Sequence, residues 1–112
     1  PGELARLHTL ALNPVGVALA FERRAAQLAQ LSARMRPGED LGSFIDAQKR
    51  ARRIFFKDER DISQQLGIWR GRRLDRLVSR LTALHQALLA NSQQAELLLS
   101  QEIAWIAREA AR

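Results

Sequence analysis

The sequence predicts an all-α fold, a single domain built as a bundle of five to six helices, and three observations support this. Apolar residues between positions 74 and 89 recur with the spacing of one helix face, within an arc of roughly 140°. Turn-forming residues divide the rest of the chain into further helix-length segments. The short apolar run at positions 54–56 has strand propensity but no partner strand nearby. The apolar face of the long helix comprises Leu74, Leu77, Val78, Leu81, Leu84, Leu88 and Leu89.

Length and composition fit one domain of 112 residues that can bury a core of its own. The chain has no cysteine, which excludes disulfides and thiolate metal sites, and no apolar run near the ~20 residues of a membrane span. It opens with Pro1-Gly2, and its only methionine is Met35. We therefore expect residues 1–112 to be a fragment of a longer chain.

The first two helices are predicted at positions 3–12 and 14–35. Asn13-Pro14 separates them, because proline disfavours helix in the residue before it and suits the first turn of the next helix. The second helix carries apolar or alanine side chains on two sides, which is typical of a central helix. Arg24 lies within its bulky stripe, and we expect its stem to pack while its head reaches water or a carboxylate.

A third helix is predicted to begin between Asp40 and Ser43, after the break at positions 36–38. Ser43 and Asp46 have the spacing of a capping box, with aspartate in place of the usual glutamate. The helix ends in a run of cations, which suits the negative end of the helix dipole. Its predicted inner side comprises Leu41, Phe44, Ile45, Gln48 and Ala51.

A fourth helix is predicted to follow an apolar connector at positions 54–56, which we expect to be held in the core. Asp58 is its predicted N-cap, with Asp61 three residues later. Gly71 weakens helix formation, so a bend near Arg70-Gly71 should separate this helix from the long one. The predicted apolar face comprises Ile62, Leu66 and Trp69.

The final helix is predicted from about position 93 to position 111, after a stop at Asn91-Ser92. Leu98 and Trp105 lie seven residues apart and off the main apolar seam of this helix. Either a neighbouring helix covers them or they contact another chain, since tryptophan is enriched at interface hot spots. They are the candidate subunit interface. The seam comprises Leu99, Ile103, Ile106 and Ala110.

The charge is strongly basic, with a net charge of +6 and arginine at 16 of the 18 basic positions. Such a balance fits nucleic acid, an acidic protein or an anionic surface, although GC-rich coding also enriches arginine. No aromatic residue interleaves with these arginines in the way that a stacking platform would. The candidate basic surface comprises Lys49, Arg50, Arg52, Arg53, Arg70, Arg72 and Arg73.

No catalytic, cofactor-binding or metal site is predicted. The sequence has no Gly-rich phosphate loop, no HExxH motif and no nucleophile elbow. His85 lies near the middle of the long apolar stripe, where a packed, hydrogen-bonded histidine is expected, and His8 is expected at the surface. A small helical enzyme acting on an anionic substrate would use Arg24 as its best candidate residue.

The order of these features resembles a known family. Asn13-Pro14 opens a helix, Ile54-Phe55-Phe56-Lys57 follows a break, and then come Leu66, Trp69 and a leucine-rich helix. A closing helix reads Ile-Ala-Trp-Ile-Ala at positions 103–107. This set resembles the C-terminal domain of the delta subunit of the bacterial DNA polymerase III clamp loader, in its alphaproteobacterial form. Arg52-Arg53 stands where relatives often have Pro-Pro, and His85 and Leu89 stand where many have glutamate and lysine.

The resemblance implies a non-catalytic collar domain that packs with the C-terminal domains of other clamp-loader subunits. The parent subunit of the polymerase holoenzyme would carry two upstream domains related to AAA+ ATPases. Contact with the sliding clamp and DNA would belong to the parent complex, in the cytoplasm and without a membrane. The alternative is a stand-alone basic helical module that binds nucleic acid.

Overall fold

Five α-helices make up residues 14–112, the part of the protein that the structure, a computed structural model, describes. They are α1 (Pro14–Arg34), α2 (Leu41–Arg50), α3 (Glu59–Ile68), α4 (Gly71–Ala90) and α5 (Ala95–Ala110), with 3-10 turns at Phe56–Asp58 and Ser92–Gln94. No strand occurs within these residues, so the prediction of an all-α bundle is confirmed. The helix predicted at positions 3–12 lies outside the described residues.

The two longest helices, α1 and α4, form the most extensive helix pair, and α1 also packs against α3 and α5. The central position predicted for α1 is therefore confirmed. The leucines of α4 fill the core from one end to the other, as its periodicity predicted, and Leu81 is 1% exposed. Leu89, at the edge of the predicted arc, is 67% exposed instead. The buried residues of α4 are Leu74, Leu77, Leu81, Leu84 and Leu88.

Helix α2 begins at Leu41, within the predicted interval, but its cap differs from the predicted capping box. Asp40 is the N-cap, and its Oδ2 accepts hydrogen bonds from the backbone N–H of Ser43 at 2.9 Å and from its hydroxyl at 3.1 Å. These bonds, the backbone one first, hold the pKa of the Asp40 carboxyl below its ordinary value. Ser43 is thus a donor to the cap and not the capping residue.

The connector after α2 does not enter the core as a unit. Ile54 is 2% exposed, whereas Phe55 and Phe56 are 58% and 64% exposed. The expectation that all three apolar residues are held in the core is wrong for both phenylalanines. Phe55 has extended backbone and Phe56 opens a 3-10 turn, so successive side chains point in different directions. Of the three consecutive residues, only Ile54 faces the core.

Helix α3 begins after Asp58, which occupies the N-cap position but makes no capping hydrogen bond with its side chain. Its carboxylate instead lies 3.8 Å from the guanidinium of Arg24. The helix ends at Ile68, Trp69 is 5% exposed, and the chain turns before Gly71, whose φ is +55°. The predicted bend is confirmed, and glycine at the start of α4 accommodates its left-handed backbone conformation.

Candidate interaction surfaces

The apolar side of α5 is only partly covered by the bundle. The helix runs antiparallel to α4, since Arg80 meets Glu102 while the earlier Arg76 meets the later Glu109. Only Ala95 and Glu109 of α5 are buried, and Leu97 is 59% exposed. No large apolar side chain of α5 is therefore fully buried. The half-buried ones are Leu98, Leu99, Ile103, Trp105 and Ile106.

The ring of Trp105 contacts two side chains of the same chain. Its ring stacks on that of Trp69, with centroids 6.4 Å apart and planes 29° apart. The guanidinium of Arg80 lies 3.9 Å from the ring centroid. Leu98, the other candidate interface residue, is also half-buried and packs against the core. Neighbouring elements thus cover part of both side chains, and contact with another chain stays a prediction.

Arginines of α4 attach α5 through charged and polar contacts. Arg80 holds the Glu102 carboxylate in a two-point contact, with nitrogen–oxygen distances of 2.6 and 3.0 Å. Arg76 lies 3.5 Å from the buried Glu109 carboxylate, and Arg73 donates to the backbone carbonyl of Glu109. Part of the arginine surplus therefore serves the fold. Local sequence patterns could not predict this role, because the two residues of each contact lie at least 22 residues apart in the chain.

The predicted basic residues form two clusters at opposite ends of α3, which spans about 15 Å at 1.5 Å per residue. In the first, Lys49 pairs with Glu59 at 3.0 Å and Arg53 donates to the side chain of Gln48 at 3.2 Å. Arg50 and Arg52 are exposed, and neither side chain has an ion pair among residues 14–112. This first cluster keeps cations free for an external anion.

The second cluster, Arg70, Arg72 and Arg73, is largely engaged within the chain. Arg70 donates from Nε to the carbonyl of Leu66 at 2.7 Å, which satisfies an acceptor at the end of α3. Arg73 lies 5.5 Å from the ring centroid of Trp69 and is half-buried. Only Arg72 of the three is exposed without a side-chain partner in the described part of the chain. These arginines therefore stabilise the α3–α4 junction.

Two aromatic side chains stand beside the first basic cluster. The rings of Phe55 and Phe56 have centroids 4.9 Å apart, and Nζ of Lys57 lies 5.9 Å from the Phe56 centroid. The expectation that no aromatic residue interleaves with the arginines left these two rings out of account, although they follow Arg53 directly after Ile54 in the sequence. Two adjacent phenylalanines between Arg53 and Lys57 were the available signal. It was missed because all apolar connector residues were assigned to the core.

The polar groups considered for catalysis have structural partners. The guanidinium of Arg24 donates from Nη1 to Oε1 of Gln65 at 3.0 Å and lies 3.8 Å from the Asp58 carboxylate, so the predicted carboxylate contact is confirmed. Nδ1 of the half-buried His85 lies 2.8 Å from Oε1 of Glu22. A cleft of about 150 Å³ between α1, α3, α4 and α5 is lined mainly by apolar side chains. This environment positions no nucleophile beside a base.

Residues 14–112 contain no group of three or more His, Asp or Glu side chains that could hold a metal ion. Within the same residues, no helix has both the length and the apolar character needed to cross a bilayer. Comparisons with protein-family models, with curated proteins and with solved structures give no match for this chain. Within residues 14–112, the exposed large apolar side chains lie on two surfaces, the partly covered apolar surface of α4 and α5 and the aromatic, basic connector between α2 and α3.

Proposed function

We propose that the chain is a non-catalytic assembly domain, the collar domain of a clamp-loader delta subunit that packs against the corresponding domains of other subunits. The observation that supports this most is apolar helix surface left uncovered by the bundle. Leu89 is 67% exposed and Leu97 is 59% exposed. Burying two such side chains in a contact would contribute about 1.5–3 kcal/mol each.

Leu89 and Leu97 form the terminal leucine patch, on either side of the Ser92–Gln94 turn between α4 and α5. Leu98 is half-buried next to Leu97 and extends the apolar surface toward the core. A contact with another subunit would bury these exposed apolar side chains. The antiparallel α4–α5 pair would present this patch on a rigid scaffold, so little ordering cost would arise on association.

A pull-down with the other clamp-loader subunits tests the proposal. The chain should be retained by at least one of them, and Leu97→Asp or Leu89→Asp should reduce retention at least tenfold, because a charge would be buried in an apolar contact. Gln30→Asp, an exposed change of similar charge on α1, is the matched control. Circular dichroism should show unchanged helix content for all three variants.

Absence of any association by the well-folded chain would overturn the assembly proposal. If such a chain bound DNA and no clamp-loader subunit, the alternative of a stand-alone nucleic-acid-binding module would replace it. Trp105 is a poor probe of association, since its ring contacts Trp69 and Arg80 within the chain. A Trp105 variant that lost binding would not show whether the fold or the contact with the other subunit had changed.

A further inference from the structure

The connector between α2 and α3 exposes two aromatic rings together. Phe55 is 58% exposed and Phe56 is 64% exposed, with ring centroids 4.9 Å apart and planes tilted by 57°. The tilt leaves each ring a face that is not covered by the other. A depression of about 380 Å³ borders Phe56 and continues along the first turns of α3. Solvent-exposed ring faces beside an open depression can accept flat, apolar groups.

The two carboxylates that follow the rings in the chain lie close to cationic side chains, whereas most cations of this stretch have no ion pair within residues 14–112. Glu59 pairs with Lys49 at 3.0 Å, and Asp58 lies 3.8 Å from Arg24. Lys57 and Arg60 lie near Phe56, and the same stretch of chain carries three further exposed cations. No ion pair within residues 14–112 involves any of these five, which are Arg50, Arg52, Arg53, Lys57 and Arg60. The surroundings of the phenylalanines therefore carry a surplus of positive charge available to an anion.

Arg52 holds its exposed position at a conformational cost. Its φ is +61°, and it is the non-glycine residue with positive φ among residues 14–112. Its N–H donates to the carbonyl of Lys49 and that of Arg53 to the carbonyl of Gln48, which is the Schellman pattern that ends a helix. Glycine is the residue that fits this position without strain. An arginine here is a backbone outlier, and such outliers gather at functional sites.

We propose that this Phe-Arg connector, residues 50–60, binds single-stranded nucleic acid. Unpaired bases would stack on the exposed faces of Phe55 and Phe56, while the surrounding cations contact the phosphates. Stacking platforms combined with a basic surface are the two components by which proteins hold single strands without sequence preference. A duplex keeps its bases stacked inside and offers only phosphates. A peptide of acidic residues alone, such as polyglutamate, offers charge but no flat ring system for the phenylalanines.

Fluorescence anisotropy with a labelled oligothymidylate of about twenty nucleotides tests the proposal, since single-stranded site sizes are about 4–16 nucleotides. The 112-residue chain should bind this strand more tightly than a duplex of equal length. Affinity should fall with salt at a log–log slope of about −0.7 for each phosphate contacted. Four contacts would give a slope of about −2.8.

Two sets of variants separate stacking from charge. Phe55→Ala with Phe56→Ala should weaken single-strand binding at least tenfold without changing the salt slope, because bases lose about a fivefold or larger stacking contribution per ring. Arg50→Gln with Arg60→Gln should make the salt slope shallower by about 1.4. Circular dichroism should show that both double variants keep their helix content, since all four side chains are exposed.

Matched controls lie elsewhere on the surface. Leu97→Ala removes an equally exposed apolar side chain, and Arg72→Gln with Arg108→Gln removes two exposed cations. Neither control variant should change the affinity for the single strand by more than about twofold, apart from the weakening that any loss of net positive charge causes. Because Leu97 belongs to the terminal leucine patch, its variant also separates this proposal from the assembly proposal.

Three results would overturn the inference. Absence of single-strand binding at low salt removes it outright. Equal affinity for duplex and single strand, together with unchanged binding by the double phenylalanine variant, would reduce the connector to a nonspecific polyanion surface. Polyglutamate that displaces the oligonucleotide at the same charge concentration would show an acidic-peptide site instead. If the connector binds single strands, Arg52→Gly should weaken that binding, even though glycine removes the backbone strain at this position.

Discussion

Replacing Trp105 with alanine should lower the free energy of unfolding by about 3 kcal/mol. A tryptophan side chain can bury 150–250 Å², and a half-buried one of about 100 Å² contributes about 2.5 kcal/mol at 25 cal/mol per Å². Stacking on Trp69 and the contact with Arg80 add about 0.5–1 kcal/mol each. Partial collapse of neighbouring side chains offsets part of this sum. The total lies at the low end of the 3–5 kcal/mol range for deleted core aromatics.

Urea denaturation followed by circular dichroism measures this loss. Trp69 remains as the single tryptophan in the variant, so its fluorescence reports on the same contact independently. The slope of the unfolding free energy against urea concentration should be the same for the variant and the wild type. An equal slope shows that the mutation changes stability and not the surface exposed on unfolding. Leu97→Ala is the control, and its exposed position predicts a change within about 0.5 kcal/mol.

A loss below about 0.5 kcal/mol for Trp105→Ala would refute the packing described here. The ring would then contribute nothing to the isolated fold. The second alternative from the sequence, that Trp105 contacts another chain, would then be favoured. A loss near 3 kcal/mol together with normal subunit retention by the residual folded protein would remove Trp105 from the candidate interface.

Three further predictions follow from the helix ends and the α4–α5 contact. Arg52→Gly should raise the unfolding free energy by about 1 kcal/mol in urea denaturation, because glycine adopts the positive φ without a Cβ clash; a loss would mean that the Arg52 side chain stabilises the fold. Asp40→Ala should lower the urea midpoint at neutral pH by removing the acceptor for Ser43. Since the pKa of Asp40 is lowered in the folded state, its contribution is present at neutral pH and is lost as the pH falls through that pKa. Wild type and variant should therefore converge in acid, and a pH-independent difference would contradict this. A double-mutant cycle on Arg80 and Glu102, side chains 40% and 13% exposed, should give a coupling of about 1 kcal/mol; a value near zero would show that the contact does not hold α5.

Local rules predicted the helix boundaries well. Pro14 opens α1 at the predicted residue, the third helix starts inside the predicted interval, and a break precedes Gly71. Each of these depends on the backbone preferences of one or two residues, which act whatever the remaining chain does. The capping residue of α2 was misassigned because Asp40 and Ser43 both have side chains suited to the role. Local sequence could not rank them.

The candidate surfaces were predicted less well, since they depend on what covers each residue. Phe55 and Phe56 were assigned to the core by hydrophobicity alone, yet Ile54 is the one buried residue of the connector. Arg73 was assigned to a basic surface, but its partner is the carbonyl of Glu109, far along the chain. Contacts between distant segments are absent from any window of local sequence, so pattern reasoning cannot see them.

The sequence by itself determined an all-helical chain with a leucine-rich central helix, because helical periodicity and turn residues act over a few neighbours. Only the tertiary structure decided which apolar side chains the bundle covers. Trp105 contacts Trp69 and Arg80, while Leu97 on the same helix stays 59% exposed. Both are equally apolar in the sequence. Burial depends on the packing of whole helices, which places a neighbour over one residue and leaves solvent over the other.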